Sequence, residues 1–396
     1  MYNRITLGMG WRAMTLALSA WVLAMAATPA AAQPAYASAA VPVGDVTLRV
    51  ESSVSEKDML DVGLVIFDAG IPIDEASHSM LGIFPEIRKA EAKFMPVLLR
   101  QVLLQSNAWG VVRVLPDEQN STELMVTGKI RESNGTSLVL EVEAWDATGR
   151  QWLDKTYSDT TTDRDYPGTE GSDPFIDMYR KIANDLLAFR QGLNARELGV
   201  IREVALLRYA ASLSEDAFGS YLQRSPEGIY SVVRLPAEND PMLVRVERIR
   251  DQEHLFIDTV DEQYVTLYED MAATYNLWRQ YGREQALYQQ DYEERAQTKE
   301  RIGRRGTFVA MEQTYNTYKQ IKIQEQDLDE MATGFNNEVA PTVMEASGRV
   351  FRLSGGLDAQ YNEWRTILRE IFALETGLPP ASSRAGLHAA TYFSPQ

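Results

Sequence analysis

The first part of the chain shows apolar patterns typical of strands, separated by one helical pattern. The continuous apolar run LDVGLVIFD, Leu60–Asp68, predicts a strand that is buried on both faces. Apolar residues then recur at helical spacing through Pro85–Ser106, and Pro96 should kink or divide this helix because proline lacks a backbone N–H. The runs Trp109–Pro116 and Thr122–Ser133 predict the second and third strands.

A hairpin and a second helix follow. The alternating run Thr136–Asp146 predicts a strand, and the Asn-Gly pair at 134–135 before it is typical of a hairpin turn. The core face of this strand is expected to hold Leu138, Leu140, Val142 and Ala144. Arg150–Asp159 predicts the next strand, and the Asp-Pro pair at 173–174 should begin a helix. This order predicts an α+β docking domain over residues 56–192, with helices on one side of a mainly antiparallel sheet.

From about Asn194 onward the strand patterns nearly vanish, with Tyr230–Pro236 as a short exception. Apolar residues at steps of three and four run from Leu243 to Tyr281, and polar helix-forming residues continue to about Arg301. A helix of about 60 residues would be about 90 Å long. A period of that length favours a coiled-coil-like arm over an ordinary globular helix.

Glycines interrupt the helical pattern at two places. The stretch RIGRRG, Arg301–Gly306, predicts the end of the long helix, and the SGG stretch at Ser354–Gly356 separates two later helical runs. The three runs can pack as an antiparallel helical hairpin or bundle. We therefore expect an α-helical domain over residues 193–378 and a disordered tail over residues 379–396.

The N-terminus has the features of a secretory signal peptide. Two arginines precede the apolar run Ala13–Ala27, and small residues lead up to Gln33. The apolar run is shorter than the ~20 residues of a spanning helix, so an uncleaved anchor is the less favoured alternative. We predict a signal peptide over residues 1–32 with cleavage after Ala32, and Ala37–Ala39 is the alternative cleavage site. Residues 33–55 are then a flexible lead-in, and the mature protein is periplasmic.

Charge and cysteine content exclude several classes of protein. The formal net charge is −17, and removal of residues 1–32 with their two arginines changes it to −19. Such a charge repels phosphate backbones, so nucleic-acid binding is not expected. The chain has no cysteine. Disulfides, thiolate metal sites, cysteine nucleophiles and a lipid-modified cysteine are therefore excluded.

Several short motifs of the first domain resemble an envelope group of proteins. They are the strand Trp109–Pro116, the VTGKI stretch Val126–Ile130, the DATGR turn Asp146–Arg150 and the closing helix Asp173–Leu186. The group includes the periplasmic domain of the curli-export channel lipoprotein, the lipoprotein activators of penicillin-binding proteins and the amino-terminal domain of the Tol-system propeller protein. The resemblance covers residues 62–190 and implies a non-enzymatic module that docks onto partners or assembles into rings.

This chain departs from that group in three respects. It lacks the cysteine that the lipidated members need, and it lacks the long alternating hairpins of the channel-forming members. The helical second half is not part of the pattern and resembles no family.

Candidate chemistry is sparse. His78 lies in a predicted polar loop, His254 in the long helix and His388 in the tail, so no metal-ligand spacing occurs. Acidic clusters such as Asp261/Glu262, Glu293/Glu294 and the Asp327–Glu330 stretch fall on predicted helices, where a solvated face is the favoured interpretation. We therefore predict no catalytic residue, no metal and no cofactor.

Aromatic and basic side chains are the candidates for a partner surface. Two tryptophans flank the DATGR turn, an aromatic stripe follows the long helix, and a basic cluster marks its predicted tip. Packing, turn formation and solvated charge are the alternatives, and Asp146 and Gly149 themselves are typical turn residues. The candidate surface residues are Trp145, Trp152, Tyr268, Trp278, Tyr281, Arg295, Lys299, Arg301, Arg304 and Arg305.

These patterns favour a non-enzymatic accessory or scaffold protein of the bacterial cell envelope. Its expected partner is an envelope protein complex or peptidoglycan, and the basic cluster suits an anionic surface or an acidic partner. Peripheral membrane contact and homo-oligomer formation stay open. The alternatives are a periplasmic hydrolase that uses carboxylates and a subunit of an export or secretion channel.

Overall fold

The computed structural model describes most of the chain between residues 41 and 379. The described residues are 41–81, 83–119, 122–162, 164–166, 173–237, 239–297, 319, 322–323, 326–327, 330 and 341–379. The predicted signal peptide and nearly all of the predicted tail lie outside them. Within the described part, no helix is long and apolar enough to cross a membrane.

The fold is α+β, as predicted, and its centre is a five-stranded sheet. In chain order the strands are β1 (Val62–Val65), β2 (Val112–Leu115), β3 (Leu124–Ser133), β4 (Ser137–Asp146) and β5 (Gln151–Thr160). The spatial order is β2-β1-β3-β4-β5. Strand β1 pairs in parallel with β2 and β3, whereas β3, β4 and β5 pair antiparallel, so the sheet is mixed. The four apolar residues expected on the core face of β4 are all fully buried.

Three helices accompany the sheet: α1 (Glu75–Leu81), α2 (Pro85–Gln105) and α3 (Ile176–Gln191). Proline does not divide α2, contrary to one of the expected outcomes. Pro96 cannot donate to the carbonyl of Ala92, one turn earlier, and that carbonyl accepts a hydrogen bond from the N–H of Phe67 instead (2.8 Å). The group left free by the proline thus ties α2 to the end of β1.

Helix α3 begins later than the Asp-Pro pair suggested. Its first residue is Ile176, and the Asp173 carboxylate accepts from the N–H of Phe175 (2.8 Å) just before the helix. Asp173 therefore shapes the approach to α3 and is not its N-cap. Its second carboxylate oxygen lies 2.8 Å from the Arg279 guanidinium.

The second part contains two hairpins as well as helices. The elements are α4 (Ala195–Leu213), α5 (Glu215–Phe218), β6 (Leu222–Arg224), β7 (Tyr230–Val232), α6 (Pro241–Gln297), β8 (Thr342–Ala346), β9 (Arg349–Leu353) and α7 (Leu357–Thr376). The 57-residue α6 matches the predicted long helix closely. The β8–β9 hairpin was not expected; its turn residues Ser347 and Gly348 both have positive φ angles of 50° and 72°, a pattern that suits a tight turn.

Part of the predicted flexible lead-in is held against the body. Residues 43–51 belong to no helix or strand, and hydrogen bonds tie them to Ser158 in β5, Asn184 in α3 and Ser106 after α2. The sequence gives no local reason for this order, because the partners are more than fifty residues away.

Two hydrophobic cores lie side by side, and α6 belongs to both. Residues Leu267–Trp278 of α6 enter the first core, together with the sheet, α2 and α3. Residues Val246–Tyr264 enter the second core, with α4 and α7. Helix α4 also contributes Leu198 and Ile201 to the first core, so the core is continuous across the boundary expected between residues 192 and 193. Helix α6 is therefore packed within the body over most of its length.

Candidate functional site

Polar side chains anchor α6 at four places inside the body. The first is the Glu91 centre, formed by Glu91, Arg88, Ser133 and Tyr275. Both the Tyr275 and the Ser133 hydroxyl groups donate to Oε1 of Glu91, at 2.5 and 2.6 Å. The Arg88 guanidinium lies 3.0 Å from the other carboxylate oxygen, and the Glu91 side chain is only 2% exposed. One buried carboxylate thereby links α2, β3 and α6.

A buried ion pair lies one turn farther along α6. The Arg279 guanidinium is 2.8 Å from the Asp173 carboxylate, and the two side chains are 0% and 2% exposed. The guanidinium also lies over the rings of Tyr275 and Phe175, at 4.2 and 4.9 Å from their centroids. Burial alone would lower the pKa of Arg279, but Asp173 and Tyr275 outweigh it and the pKa is raised. The arginine is therefore charged inside the first core.

The turn between β3 and β4 rests directly on this part of α6. A Cβ atom at Gly135 would lie 2.1 Å from the carbonyl oxygen of Arg279 and 2.4 Å from the backbone nitrogen of Arg283. Glycine is required here for close approach of two backbones rather than for a positive φ angle, which Gly135 does not have. The hairpin predicted from the Asn-Gly pair is confirmed, and its tip is a contact with α6.

The Glu253 centre joins α4, α6 and α7 within the second core. Glu253 is buried and accepts hydrogen bonds from the hydroxyl groups of Tyr209 and Tyr361, both at 2.7 Å. Arg365 lies 3.6 Å from the same carboxylate. Gln119, which follows β2, contacts the Tyr361 hydroxyl. A single α6 carboxylate thus holds side chains from both neighbouring helices.

The fourth anchor, the β2-edge centre, covers the outer strand of the sheet. Asp261 on α6 accepts from the backbone N–H of Val114 (2.9 Å) and lies 2.8 Å from the Arg100 guanidinium. Arg113 pairs with Asp258, also on α6 (2.5 Å). Asp261 is buried and its pKa is raised by that burial, so the expectation of a solvated carboxylate was wrong for this residue. Helix α6 satisfies the open edge of β2.

Titratable side chains gather next to that edge. Burial is the main cause that raises the pKa of Glu123 to about 7, and the nearby Asp61 carboxylate adds to it. Burial also lowers the pKa of His254 to about 4, with Arg113 and Arg250 contributing. Acid–base chemistry needs two carboxylates in unlike environments, and Glu123 with its raised pKa could be one of them. However, Glu123 is already bound to the N–H of Asp61 (2.9 Å), and its side chain is 14% exposed.

Neither a metal site nor a histidine site stands out in the described residues. No group of three or more His, Asp or Glu side chains there could hold a metal ion. His78 lies in α1 rather than in the predicted loop, and its Nε2 is 2.7 Å from the carbonyl oxygen of Pro72. His254 lies in α6 as predicted, and His388 is outside the described residues.

The tryptophans that flank the DATGR turn do not form a common surface. Trp152 is 5% exposed, stacks on Phe189 at 4.8 Å and donates to Asp146 (2.9 Å), so its prediction as a partner residue was wrong. It points inward because β5 has a register shift beside it, opposite the step from Ala144 to Trp145 in β4. Trp145 is half-buried on the other face of the sheet.

The turn itself is structural, as its sequence suggested. Asp146 accepts from the N–H of Thr148 (2.9 Å), and Gly149 has a φ of 88°. The turn is also covered: Tyr230 of β7 donates its N–H to the carbonyl of Thr148, and Arg208 donates to the carbonyl of Ala147.

The aromatic stripe of α6 packs mainly inward. Tyr268 contacts the Phe94 ring at 4.5 Å and is half-buried, while Tyr281 is half-buried against the first core. Trp278 is buried and meets the Phe84 ring edge-on at 6.0 Å, so it is not an exposed partner residue. The stripe was predicted as a candidate surface, but its size and spacing serve the packing of α6 on α2.

The basic cluster is only partly described. Arg295 lies in the last stretch of α6, and nothing is described of its side chain. The other members, Lys299, Arg301, Arg304 and Arg305, lie outside the described residues.

Two contacts are formed by basic side chains on either side of this region in the sequence. The Arg283 guanidinium lies 5.5 Å from the Tyr166 ring centroid, and α6 then continues to Gln297, about 21 Å farther at 1.5 Å per residue. The Lys322 ammonium lies 5.4 Å from the ring of Phe84, which also contacts Trp278. Trp278 and Lys322 thus both contact the Phe84 ring.

The anchoring residues were not predicted, although the sequence contains a signal for some of them. Glu91 interrupts the apolar stripe of α2 between Ile87 and Phe94, and Arg279 interrupts the aromatic stripe of α6. A charged residue at such a position must be paired when it is buried. Its partner cannot be read from sequence, because Glu91 and Tyr275 are 184 residues apart.

Comparison with protein-family models, curated proteins and solved structures finds no match. The resemblance of residues 62–190 to the envelope group therefore stays a prediction.

Proposed function

We propose that this protein is a non-enzymatic accessory or scaffold protein of the bacterial cell envelope. In this proposal the body holds the end of α6 in a fixed direction, toward an envelope protein complex or peptidoglycan. The observation that supports it is the set of buried polar anchors along α6, from Glu253 to Arg279, followed by continuous helix to Gln297.

Buried polar contacts suit this role because they fix the position of a helix along its axis. An apolar seam alone allows a long helix to shift by one turn. Such a shift of α6 would take Tyr275 away from Glu91 and would leave the buried Asp173 carboxylate without its guanidinium. The cost of that shift holds the end of α6 in register with the sheet. A scaffold needs such a defined geometry, and an enzyme would need convergent accessible groups instead.

The partner in this proposal is recognised through the basic cluster around residues 295–305. That cluster stands out in a chain with a formal charge of −17, so it complements an acidic protein surface or an anionic polymer. Nucleic acid is not the proposed partner, because the rest of the chain repels it.

Affinity capture from bacterial envelope extracts and from isolated peptidoglycan tests this proposal. The test variant of the full chain carries Arg295→Glu, Arg301→Glu and Arg304→Glu. The control carries the same change in charge on exposed arginines of the body, Arg196→Glu, Arg349→Glu and Arg352→Glu. We expect a captured partner that the wild type and the control retain and the test variant loses. Equal capture by both variants, or equal loss, contradicts the proposal.

A further inference from the structure

The segment from Val43 to Glu51 is bound to the body in the way that a peptide is bound by a receptor. It belongs to no helix or strand, and its hydrogen-bond partners come from distant elements. The N–H of Val43 donates to the carbonyl of Ser158 (2.9 Å), and the N–H of Glu51 donates to the carbonyl of Ser106 (2.9 Å). Half of its eight side chains are exposed, so main-chain contacts carry much of the recognition.

Asn184 makes the central contact with this segment. Its Oδ1 accepts from the N–H of Arg49 (2.8 Å), and its Nδ2 donates to the carbonyl of Thr47 (2.9 Å). One side-chain amide on α3 thus accepts from one backbone N–H of the segment and donates to one of its carbonyl oxygens. Gln191, two turns farther along α3, donates to the Glu51 carboxylate (2.5 Å).

Apolar side chains give the segment its register. Val43 and Leu48 are partly buried and pack against the first core, and Val46 is half-buried. Gly44 has a φ of 62°, which turns the chain away from β5 directly after Val43 and lets it cross α3. The segment is therefore recognised by backbone atoms at fixed places and by two or three apolar side chains.

We propose that the surface formed by Ser106, Ser158, Asn184 and Gln191, here named the lead-in site, is a binding site for an extended peptide and accepts the segment 43–51 of a second copy of this chain. A second copy can offer the same atoms, because the segment is linked to the body only through residues 52–59. Those include three serines and one short helical turn, Glu56–Asp58. This inference does not depend on the proposed function.

Exchange between copies is favoured because the segment is only weakly bound to the body. Few hydrogen bonds join it to the body, and ordering its nine residues costs conformational entropy that offsets much of their contribution. The seven residues from Ser52 to Asp58 can span up to about 23 Å when extended, so the segment can leave its own site and reach a neighbouring copy. Such an exchange of an identical element gives a dimer at little net cost.

A pair of complementary full-length variants tests the exchange. The acceptor carries Val43→Asp and Leu48→Asp, which empties its site and leaves the site residues intact. The donor carries Asn184→Ala, which weakens its own site and leaves its segment intact. We expect each variant alone to sediment as a monomer at concentrations where the mixture contains a dimer. A mixture that stays monomeric up to the highest soluble concentration overturns the proposal.

Recognition is measured separately with a labelled synthetic peptide of residues 41–51. We expect saturable binding to the acceptor by fluorescence anisotropy, and binding about tenfold weaker when the acceptor also carries Asn184→Ala, because two hydrogen bonds are lost. A peptide with Val43→Asp and Leu48→Asp should not bind. Equal binding of both peptides, or no saturable binding, contradicts the lead-in site. An acceptor with Arg49→Pro, which removes the N–H donor to Asn184 and places no charge in the apolar contacts, serves as the second variant if the first does not fold.

Discussion

At the residue scale, the buried carboxylates differ in what balances their charge. Asp173 has a guanidinium at 2.8 Å, and Glu91 has one at 3.0 Å. Glu123 is also largely buried, but its nearest guanidinium, on Arg202, is 3.8 Å away, and Asp61 lies close by. Burial therefore raises the pKa of Glu123 to about 7, because no close guanidinium offsets the cost of burying its charge.

Replacing Glu123 with glutamine should remove a pH dependence of stability. The folded protein keeps the Glu123 proton up to about pH 7, whereas the unfolded chain loses it near pH 4.5. Stability therefore falls as pH rises between these values, by on the order of 3 kcal/mol, and stays flat above them. Between pH 5 and pH 8 the wild type should lose more unfolding free energy than Glu123→Gln, measured by urea denaturation. An equal loss in both proteins would mean that Glu123 ionises normally in the folded state.

At the element scale, the close contact between the β3–β4 turn and α6 is the most sensitive to a small change. Gly135→Ala would place a methyl group within 2.4 Å of two backbone atoms of α6, and neither backbone can move aside alone. We expect a loss of roughly 2–3 kcal/mol in unfolding free energy. The control is Gly199→Ala within α4, where an added Cβ meets nothing within 4 Å. That change should stabilise the protein by about 1 kcal/mol, since alanine favours helices.

Some elements were predicted more accurately than others, because some depend on local sequence patterns and others on contacts between residues far apart in sequence. Helix α6 was predicted nearly to its ends because its period is local and uninterrupted. The β8–β9 hairpin was missed because apolar residues such as Val343 and Val350 lie on its exposed face, so the strand alternation is blurred. The order of residues 43–51 and the burial of Asp261 depend on contacts with distant elements, which no local pattern records.

At the scale of the whole molecule, α6 joins two cores, and this connection should make them unfold together. Arg279 belongs to an ion pair beside the first core, whereas α7 packs in the second core against an earlier part of α6. If α6 transmits stability along its length, damage at Arg279 must reach α7, which packs against residues 246–264 of the same helix. The alternative is a helix that serves two independent units, each with its own stability.

Arg279→Met distinguishes these cases, because it leaves the Asp173 carboxylate buried without its partner. Loss of one member of a buried ion pair costs about 3–5 kcal/mol, so amide hydrogen exchange should accelerate by at least about a hundredfold throughout the protected core. We expect this acceleration in α7 as well as in α2 and α3, measured by mass spectrometry. The double variant Arg279→Met with Asp173→Asn should recover part of the protection in all three helices, since it removes the unpaired charge. Unchanged exchange in α7 would show that the second core unfolds on its own.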